Sequence, residues 1–533
     1  MRLLPAGSAA VLAEVGSLAE SRALHAALAA EVEGGGLPGV LDLVPAARTV
    51  IVTFDPRVTT TKGVAGRVAA VAGALGRPTG SGPARTHELS VVYDGADLTV
   101  VAASLGMSVE EVVERHASTS WEVAFAGFAP GFGYLAGDDS LRVPRRSSPR
   151  TAVPAGSVAL ADTWCGIYPR TTPGGWQLVG RTDAPLWDID RLSPALLAPG
   201  DRVRFVPVDH LPGALEDGAP ARAPEGLAPG ARRAVEVLEA GPLATLQDLG
   251  RPGYAAVGLG RSGAADLTSH ALALRLTGCA TDAATVEVTL GGLVARARED
   301  LLVAVTGATA AITVDGRAVA PSSVVRWPGG SVLRIDRPVH GLRSYLAVSG
   351  GWLRDPVLGS RAYDTLSGTG PAPLRPGDVL AAGEAGTDVR LAVDHAATGP
   401  ADPRRLVAAP SVLFVEPGPR ADWFTDAAWQ ALTTAEWTVT ADVDRVGARL
   451  RGPALGRAVT DELPSEGVVR GSVQVSSDGQ PTLFLSDHPV TGGYPVIAVL
   501  TAESCDRAAQ LVPGARVRLS PAGAPGARRA PRR

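Results

Sequence analysis

The chain has 533 residues, 45% of them apolar and 20% charged, with a formal net charge of −4. That length exceeds one hydrophobic core and suggests about three or four units, and the balance calls for neither a nucleic-acid partner nor a membrane surface. No run reaches the roughly 18 to 20 apolar residues of a membrane helix. Glu14, Glu20 and Arg22 interrupt the small, apolar first thirty residues, so a cytoplasmic location is expected.

The first eighty or so residues read as a small α/β unit. A helix carries Leu24 and Leu28, a strand runs Thr49 to Phe54, and a second helix repeats Val64, Val68, Val71 and Leu75 on one face. The Gly- and Pro-rich stretch Gly76 to Pro83 marks a boundary. His87 to Tyr93 alternates as a strand, and Ser108 to Glu111 is a capping box for a helix ending near His116. Beyond Trp121, short apolar runs separated by Gly and Pro read as a barrel or sandwich over 83–208. Asp209 to Arg232 has too few large apolar residues to fold and reads as a linker. From Arg233 to about Ser520 strands dominate again, with one helix from Asp266 to Thr277 between a capping Asp266 and a terminating Gly278. The basic tail 521–533 is expected to be disordered.

Three ordered blocks recur on either side of the linker. Gly156 to Leu160, Thr172 to Val179 and Leu197 to Phe205 are echoed by Gly471 to Val475, Val490 to Ile497 and Leu511 to Leu519. The last block is a Pro-Gly turn launching an alternating strand. This order points to an ancient duplication of one β-barrel.

Cys165, Cys279 and Cys505 are odd in number and scattered, which argues against a disulfide framework or a CxxC metal site and for buried thiols. Lys62 is the only lysine, so other cationic chemistry falls to Arg or His. The eight histidines show no HxH or HExxH spacing, and no metal ligand is assigned.

Residues 127–135 (Gly-Phe-Ala-Pro-Gly-Phe-Gly-Tyr-Leu), Val153 to Val158, Gly166 to Pro169 and Pro173 to Thr182 resemble the signature blocks of KipI-like proteins, also called the B component of 5-oxoprolinase or allophanate hydrolase subunit 1. Gln247 to Arg251, Ser262 to Asp266, Val286 to Gly292, Leu358 to Arg361, Asp444 to Gly447, Glu462 to Gly467 and Thr491 to Pro495 resemble those of the KipA-like partner, the C component. The resemblance implies a mainly β fold: a small ferredoxin-like α+β domain followed by cyclophilin-like β-barrels in both halves. It also implies a complex with a LamB/YcsF-type A component that opens 5-oxoproline, a small cyclic amide, to glutamate with ATP and Mg²⁺. The related domain of urea carboxylase transfers a carboxyl group from biotin, and fold alone does not choose between the two chemistries. Lys62 sits at a helix start rather than in a hairpin, so no biotin carrier is fused here. There is no GxxxxGK[ST] loop either. KipI-like proteins further resemble inhibitors of a histidine kinase, but fusion to their antagonist would hold that antagonist permanently at high effective concentration. Homo-oligomerisation stays open.

Activating a lactam by phosphorylation needs cations or backbone N–H groups around the phosphoryl oxygens. Arg181, Arg251, Arg361 and Arg445 are candidate clamps for phosphate or carboxylate, against the ordinary solvated role of surface arginines. Gly174-Gly175 and Gly492-Gly493 would let backbone approach a ligand, or are simply turns needing positive φ. Trp176 is either a stacking platform or a core aromatic, and Tyr134 and Tyr494 join the binding set. His270 faces inward on its helix with Leu267, Ala271 and Leu274, as a core or a catalytic histidine. Glu287 alternates against Val286 and Val288 and so faces solvent or a cleft. Glu466 (with Glu462) and Asp487 (with His488) are candidate proton shuttles, against plain surface charge. Relative to the family pattern, Leu274, Cys279 and Trp164-Cys165 are departures.

Overall fold

The computed structural model describes residues 1–75, 85–146, 148, 150–213, 231–384 and 410–523. The expected boundary at Gly76–Pro83 lies outside the described residues, as do most of the expected linker and tail.

The first unit is β1 (Arg2–Pro5), β2 (Ala10–Glu14), α1 (Leu18–Glu33), β3 (Val40–Pro45), β4 (Thr49–Phe54) and α2 (Thr61–Ala74), with sheet order β1-β2-β4-β3. Ser17 and Thr60 cap the two helices through their side chains. Two-residue periodicity sends alternate side chains to different cores. Val11, Val50, Val52 and Phe54 meet Leu24, Leu28, Val64, Val68 and Val71 on the helices. Leu12, Val44 and Ile51 point the other way and pack on Val468, Val469, Val496 and Val499 from the far half of the chain. The sheet is therefore buried on both faces, which ties the halves together. The ferredoxin-like arrangement has one twist: β1, from before the motif, occupies the edge beside β2, and the strand after α2 leaves for the first barrel.

That barrel comprises β5 (Thr86–Val91), α3 (Leu98–Leu105), α4 (Val109–Ser118), β6 (Trp121–Ala126), β7 (Gly133–Ala136), β8 (Arg150–Val153), β9 (Ser157–Ala161), β10 (Trp164–Ile167), β11 (Thr172–Gly174), β12 (Gln177–Arg181) and β13 (Arg202–Pro207). The capping box at Ser108 and Glu111 is present. Strand order is β12-β9-β10-β7-β6-β13-β5, and reciprocal backbone bonds between Val92 and Arg181 (3.0 and 2.9 Å) join the two ends.

The middle unit holds β14 (Arg232–Ala240), β15 (Leu243–Gln247), α5 (Leu267–Leu276), β16 (Thr285–Thr289), β17 (Leu293–Ala297), β18 (Leu301–Thr309), β19 (Ile312–Val314), β20 (Arg317–Ala318), β21 (Val324–Trp327), β22 (Val332–Ile335), β23 (His340–Val348), β24 (Trp352–Leu353) and β25 (Val379–Ala382). Its sheets, ordered β20-β19-β22-β17-β14-β25-β24 and β15-β16-β23-β18-β21, share one core. As expected, Asp266 caps α5 and Gly278 just beyond it takes a left-handed conformation.

The last barrel has β26 (Ser411–Pro417), a helix Asp426–Thr434, β27 (Glu436–Val443), β28 (Gly447–Arg451), β29 (Glu466–Gly467), β30 (Ser472–Val475), β31 (Pro481–Phe484), β32 (Thr491–Gly492), β33 (Val496–Leu500), a helix Ala502–Ala508 and β34 (Arg516–Pro521). It closes in the order β26-β33-β30-β31-β28-β27-β34. Read around the ring, this is the first barrel's order with β26 in the place of β5 and β34 in the place of β13, each pair parallel. The flap β8-β11 corresponds to β29-β32. Even the anchoring tryptophans match: Trp121 and Trp437, both fully buried, donate their indole N–H to the carbonyl five residues earlier, at His116 and Leu432. The duplication inferred from three sequence blocks is thus a duplication of topology.

Candidate active site at the junction of the halves

Strands β15, β16 and β23 put Leu246, Val286, Val288 and Leu346 into the middle core. The alternate positions Thr245, Gln247, Thr285, Glu287, Arg343 and Tyr345 therefore share the opposite face, where Glu287 lies across from both Thr245 and Tyr345. α5 packs on β18 and β23 and brings His270 to this face. Glu287 is correctly placed off the apolar face, but it is 1% exposed rather than solvated.

One guanidinium organises the junction. Arg445 donates through Nε and Nη2 to the two oxygens of Asp487 (2.8 and 2.9 Å), through Nη1 to Glu287, and through Nη2 to Gly263 O at 2.6 Å. Glu287 also accepts from Ala265 N and Tyr345 Oη, each at 3.0 Å, with Arg343 Nε at 3.5 Å. Burial alone would raise the carboxyls of Glu287 and Asp487. Arg445, aided by Arg343 at Glu287, overcomes it and holds both below the usual range. Burial would likewise lower Arg445, and the two carboxylates reverse that and push it up.

Asp487 also accepts from Ser262 Oγ (2.6 Å) and from Thr365 N and Oγ1 (2.8 and 2.7 Å). Next to Thr365 is Asp364, 2% exposed, whose carboxyl is pushed up to about 7 by burial and then by the charge on Asp487. The same loop reaches the first half, where Arg170 Nη1 donates to Leu366 O at 2.9 Å. His270 is fully buried, with Nδ1 2.9 Å from Thr285 Oγ1, and burial lowers it to about 4, so it is neutral. Arg251 is 1% exposed and donates to Ala362 O.

A second grouping lies where the barrels meet. Phe128 N donates to Thr491 Oγ1 at 3.1 Å, and a Cβ on Gly127 would collide with that threonine. Buried Tyr134 lies against Ser465 and Thr491, while Gly493 sits beside Arg145 and Arg146 N donates to Gly175 O. Tyr494 is 41% exposed.

Several expectations are corrected. Glu466 is not with Asp487: it is buried against Arg420, which also holds Glu14 of the first unit, and burial raises its carboxyl despite Arg420. Plain surface charge describes Glu462 but neither Glu466 nor Asp487. Arg181 is half-exposed against Asp94, its backbone serving barrel closure. Arg361 donates from Nε to Arg354 O and from its backbone to Asp248, so it fixes a turn. Gly174, Gly492 and Gly493 do not have positive φ; at Gly174 and Gly492 the missing Cβ makes room for Tyr168 and Gln474 instead. Trp176 is a core aromatic, edge-on to Phe132 and Tyr134. Leu274 packs on Tyr345 and Ala347, Cys279 Sγ lies 3.0 Å from Val348 O, and Cys165 is buried 3.3 Å from His116 Nε2. Trp164 is edge-on to Phe125 and Tyr134. Sequence reasoning missed Asp364, Arg343, Tyr345 and Arg420. The alternation of Arg343 and Tyr345 along β23 was a usable signal; nothing local marked Asp364.

Residues 1–197 match the family model described as carboxyltransferase domain, subdomain C and D, and residues 257–521 match subdomain A and B. The C component of 5-oxoprolinase from Escherichia coli (strain K12) is 33% identical over 280 residues, which are 52% of this chain and 87% of that protein. The chain belongs to the carboxyltransferase-domain family, as a fused B/C type. The B component of 5-oxoprolinase from Escherichia coli O157:H7 is 53% identical over 127 residues, 23% of this chain and 58% of that protein. Urea amidolyase of Lachancea kluyveri is 28% identical over 310 residues, 54% of this chain but 17% of that protein. The crystal structure of TTHA0988 superposes with TM-score 0.83 at 34% identity, covering 96% of this chain and all of that one. Among the described residues no helix is long and apolar enough to cross a membrane.

Proposed function

We propose that this chain is the B/C component of an ATP-dependent 5-oxoprolinase, activating 5-oxoproline or a related cyclic amide for opening to glutamate with a LamB/YcsF-type partner. The observation that carries this reading is the continuity of the two halves. Relatives named as the B and C components run in tandem along one chain, and the halves interlock through the Thr491–Phe128 and Arg170–Leu366 contacts.

Lactam resonance makes both the carbonyl and the nitrogen reluctant to react. ATP would supply the phosphoryl group that activates the lactam oxygen; one water then adds to the ring carbon, the C–N bond breaks with the nitrogen leaving as the protonated amine and the carbon left as an acyl phosphate, and a second water releases phosphate to give glutamate. The chain's own part is to hold anionic oxygens. Arg251 is a buried cation suited to that need, and Arg145 and Arg170 lie beside Gly493 and Gly368 where the halves meet. Mg²⁺ would come on the nucleotide. Among the described residues no three His, Cys, Asp or Glu side chains converge as a metal site, and both Asp487 oxygens are taken.

The test is purification of the full chain alone and with a LamB/YcsF-type protein, following glutamate and ADP release at saturating ATP and magnesium. Glutamate released by the pair supports the reading, and none from either preparation sinks it. The urea amidolyase likeness favours a second reading, carboxyl transfer from a biotin carrier on another chain. Lys62, the only lysine, is exposed in the first turn of α2 and offers no carrier hairpin. Carboxylation of urea by this chain with a carboxybiotin carrier would promote it.

A further inference from the structure

Arg251, Arg343, Arg420 and Arg445 are the buried arginines among the described residues. Three have carboxylates: Arg343 and Arg445 share Glu287, Arg445 also holds Asp487, and Arg420 holds Glu466 and Glu14. Among the described residues no carboxylate lies at ion-pair distance from Arg251; Asp364, Asp248 and Asp487 act on it through space. Its single hydrogen bond goes to Ala362 O, and its Nε and Nη1 have no partner. A buried cation without a direct partner is costly and favours an anion beside it.

Two neighbours are also half satisfied. Gln247 donates from Nε2 to Tyr363 O (2.8 Å), the carbonyl next to the one Arg251 uses, and leaves Oε1 unpartnered. His270 uses Nδ1 on Thr285, which pairs directly with Gln247 across β15 and β16, and leaves Nε2 unpartnered. Each side chain is pinned at one end with the other unclaimed. The set offers guanidinium donors, an amide acceptor and an imidazole nitrogen. The dianionic end of a phosphate monoester has no donor for Gln247, whereas a cyclic amide acid carries its carboxylate on the carbon next to its ring N–H.

We infer that Arg251, Gln247 and His270 form the recognition pocket for the substrate, with Arg251 taking the carboxylate and Gln247 Oε1 accepting the ring N–H of a carboxylated lactam. The inference rests on the proposed function for its choice of ligand. The segment carrying Ala362 and Tyr363 covers Arg251 and Gln247 and is held by Arg170 at Leu366 and by Asp487 at Thr365, so a ligand reaches these side chains when that segment lifts.

Calorimetric titration of the full chain tests this with four probes: L-5-oxoproline, its N-methyl derivative, 2-pyrrolidinone, which lacks the carboxylate, and inorganic phosphate. The wild type is expected to bind L-5-oxoproline, and at least tenfold more weakly either the N-methyl compound or 2-pyrrolidinone. These ligand comparisons need no variant to fold. Arg251→Met, checked for an unchanged thermal melt, should lose at least tenfold for L-5-oxoproline while still binding ATP as the wild type does. Gln247→Leu should bind the N-methyl and parent compounds alike. Wild-type affinity in Arg251→Met, equal wild-type affinity for 2-pyrrolidinone, phosphate binding as tightly at the same residues, or no binding of L-5-oxoproline overturns the pocket. Persisting glutamate release with an indifferent Arg251 sinks the pocket alone; intact pocket binding with no ATP-dependent turnover sinks the function alone.

Discussion

Arg445 grips Asp487 side-on, Nε to one carboxylate oxygen and Nη2 to the other, at 2.8 and 2.9 Å with both side chains buried. The pair joins β-strand ends of the last barrel to the middle unit, because the remaining nitrogen of Arg445 reaches Glu287. Removing the arginine strands two buried carboxylates. Arg445→Met is expected to cost about 3–5 kcal/mol in denaturant unfolding. Arg445→Lys should recover little of it, since an ammonium cannot reproduce the planar fork. A lysine variant within about 1 kcal/mol of wild type, the range of an ordinary surface pair, would refute the fork's importance.

The contact between the barrels predicts that the halves stay together without their covalent link. A protease site inserted between residues 213 and 231, then cut in the folded protein, should leave one species on size exclusion. The first unit's sheet is covered on its second face by the far barrel, and Gly127 meets Thr491 with no room for a Cβ. Gly127→Val in the nicked protein should weaken association or separate the halves. Separation of the nicked wild type would contradict that packing.

Local patterning was legible where one face of an element is buried: α2, α5, the capping box at Ser108 and the strand Thr49–Phe54 follow from periodicity and caps alone. The duplicated barrel was legible because its three blocks each hold a turn and a strand whose chemistry resists drift. The site was not. Glu466 and Asp487 both sit in turn-rich sequence with the same local appearance, and only tertiary pairing sends one to Arg420 and the other to Arg445. Arg361 looked like a clamp because its motif surrounds it, yet the motif's job is to shape a turn around Asp248.

Asp364 predicts a pH dependence of stability. Its folded carboxyl is raised to about 7 from an ordinary value near 3.8, by burial and by Asp487. Between those values the folded chain holds a proton that the unfolded chain has released. Stability from this group is therefore full below about 4 and declines as pH rises through 7, by at most about 1.4 kcal/mol per pH unit. Asp364→Asn should flatten that part of the profile, so the variant gains on the wild type between pH 4 and 7. Parallel melting curves for the two proteins across that range would contradict the assignment.

Helix α5, which carries His270, is capped from two units at once. Its own Asp266 takes Ser269 N at 2.9 Å, but Leu267 N and Thr268 N, both at 3.1 Å, go to Asp506 of the last barrel. Asp506 is held in turn by Arg470, which also donates to Ala265 O. First-turn N–H groups have no intrahelical partner, so losing Asp506 leaves two of them without an acceptor in a site closed to water. Asp506→Ala should destabilise the protein by about 2 kcal/mol, the upper range of a lost cap, and speed amide exchange selectively in α5. Asp506→Asn keeps one accepting oxygen and should fall between the two. Because the cap comes from the barrel that also supplies Arg445, loosening it should disturb His270 and Glu287 together. Unchanged exchange in α5 with a normal melt would mean that the middle unit holds its helix without the barrel's help.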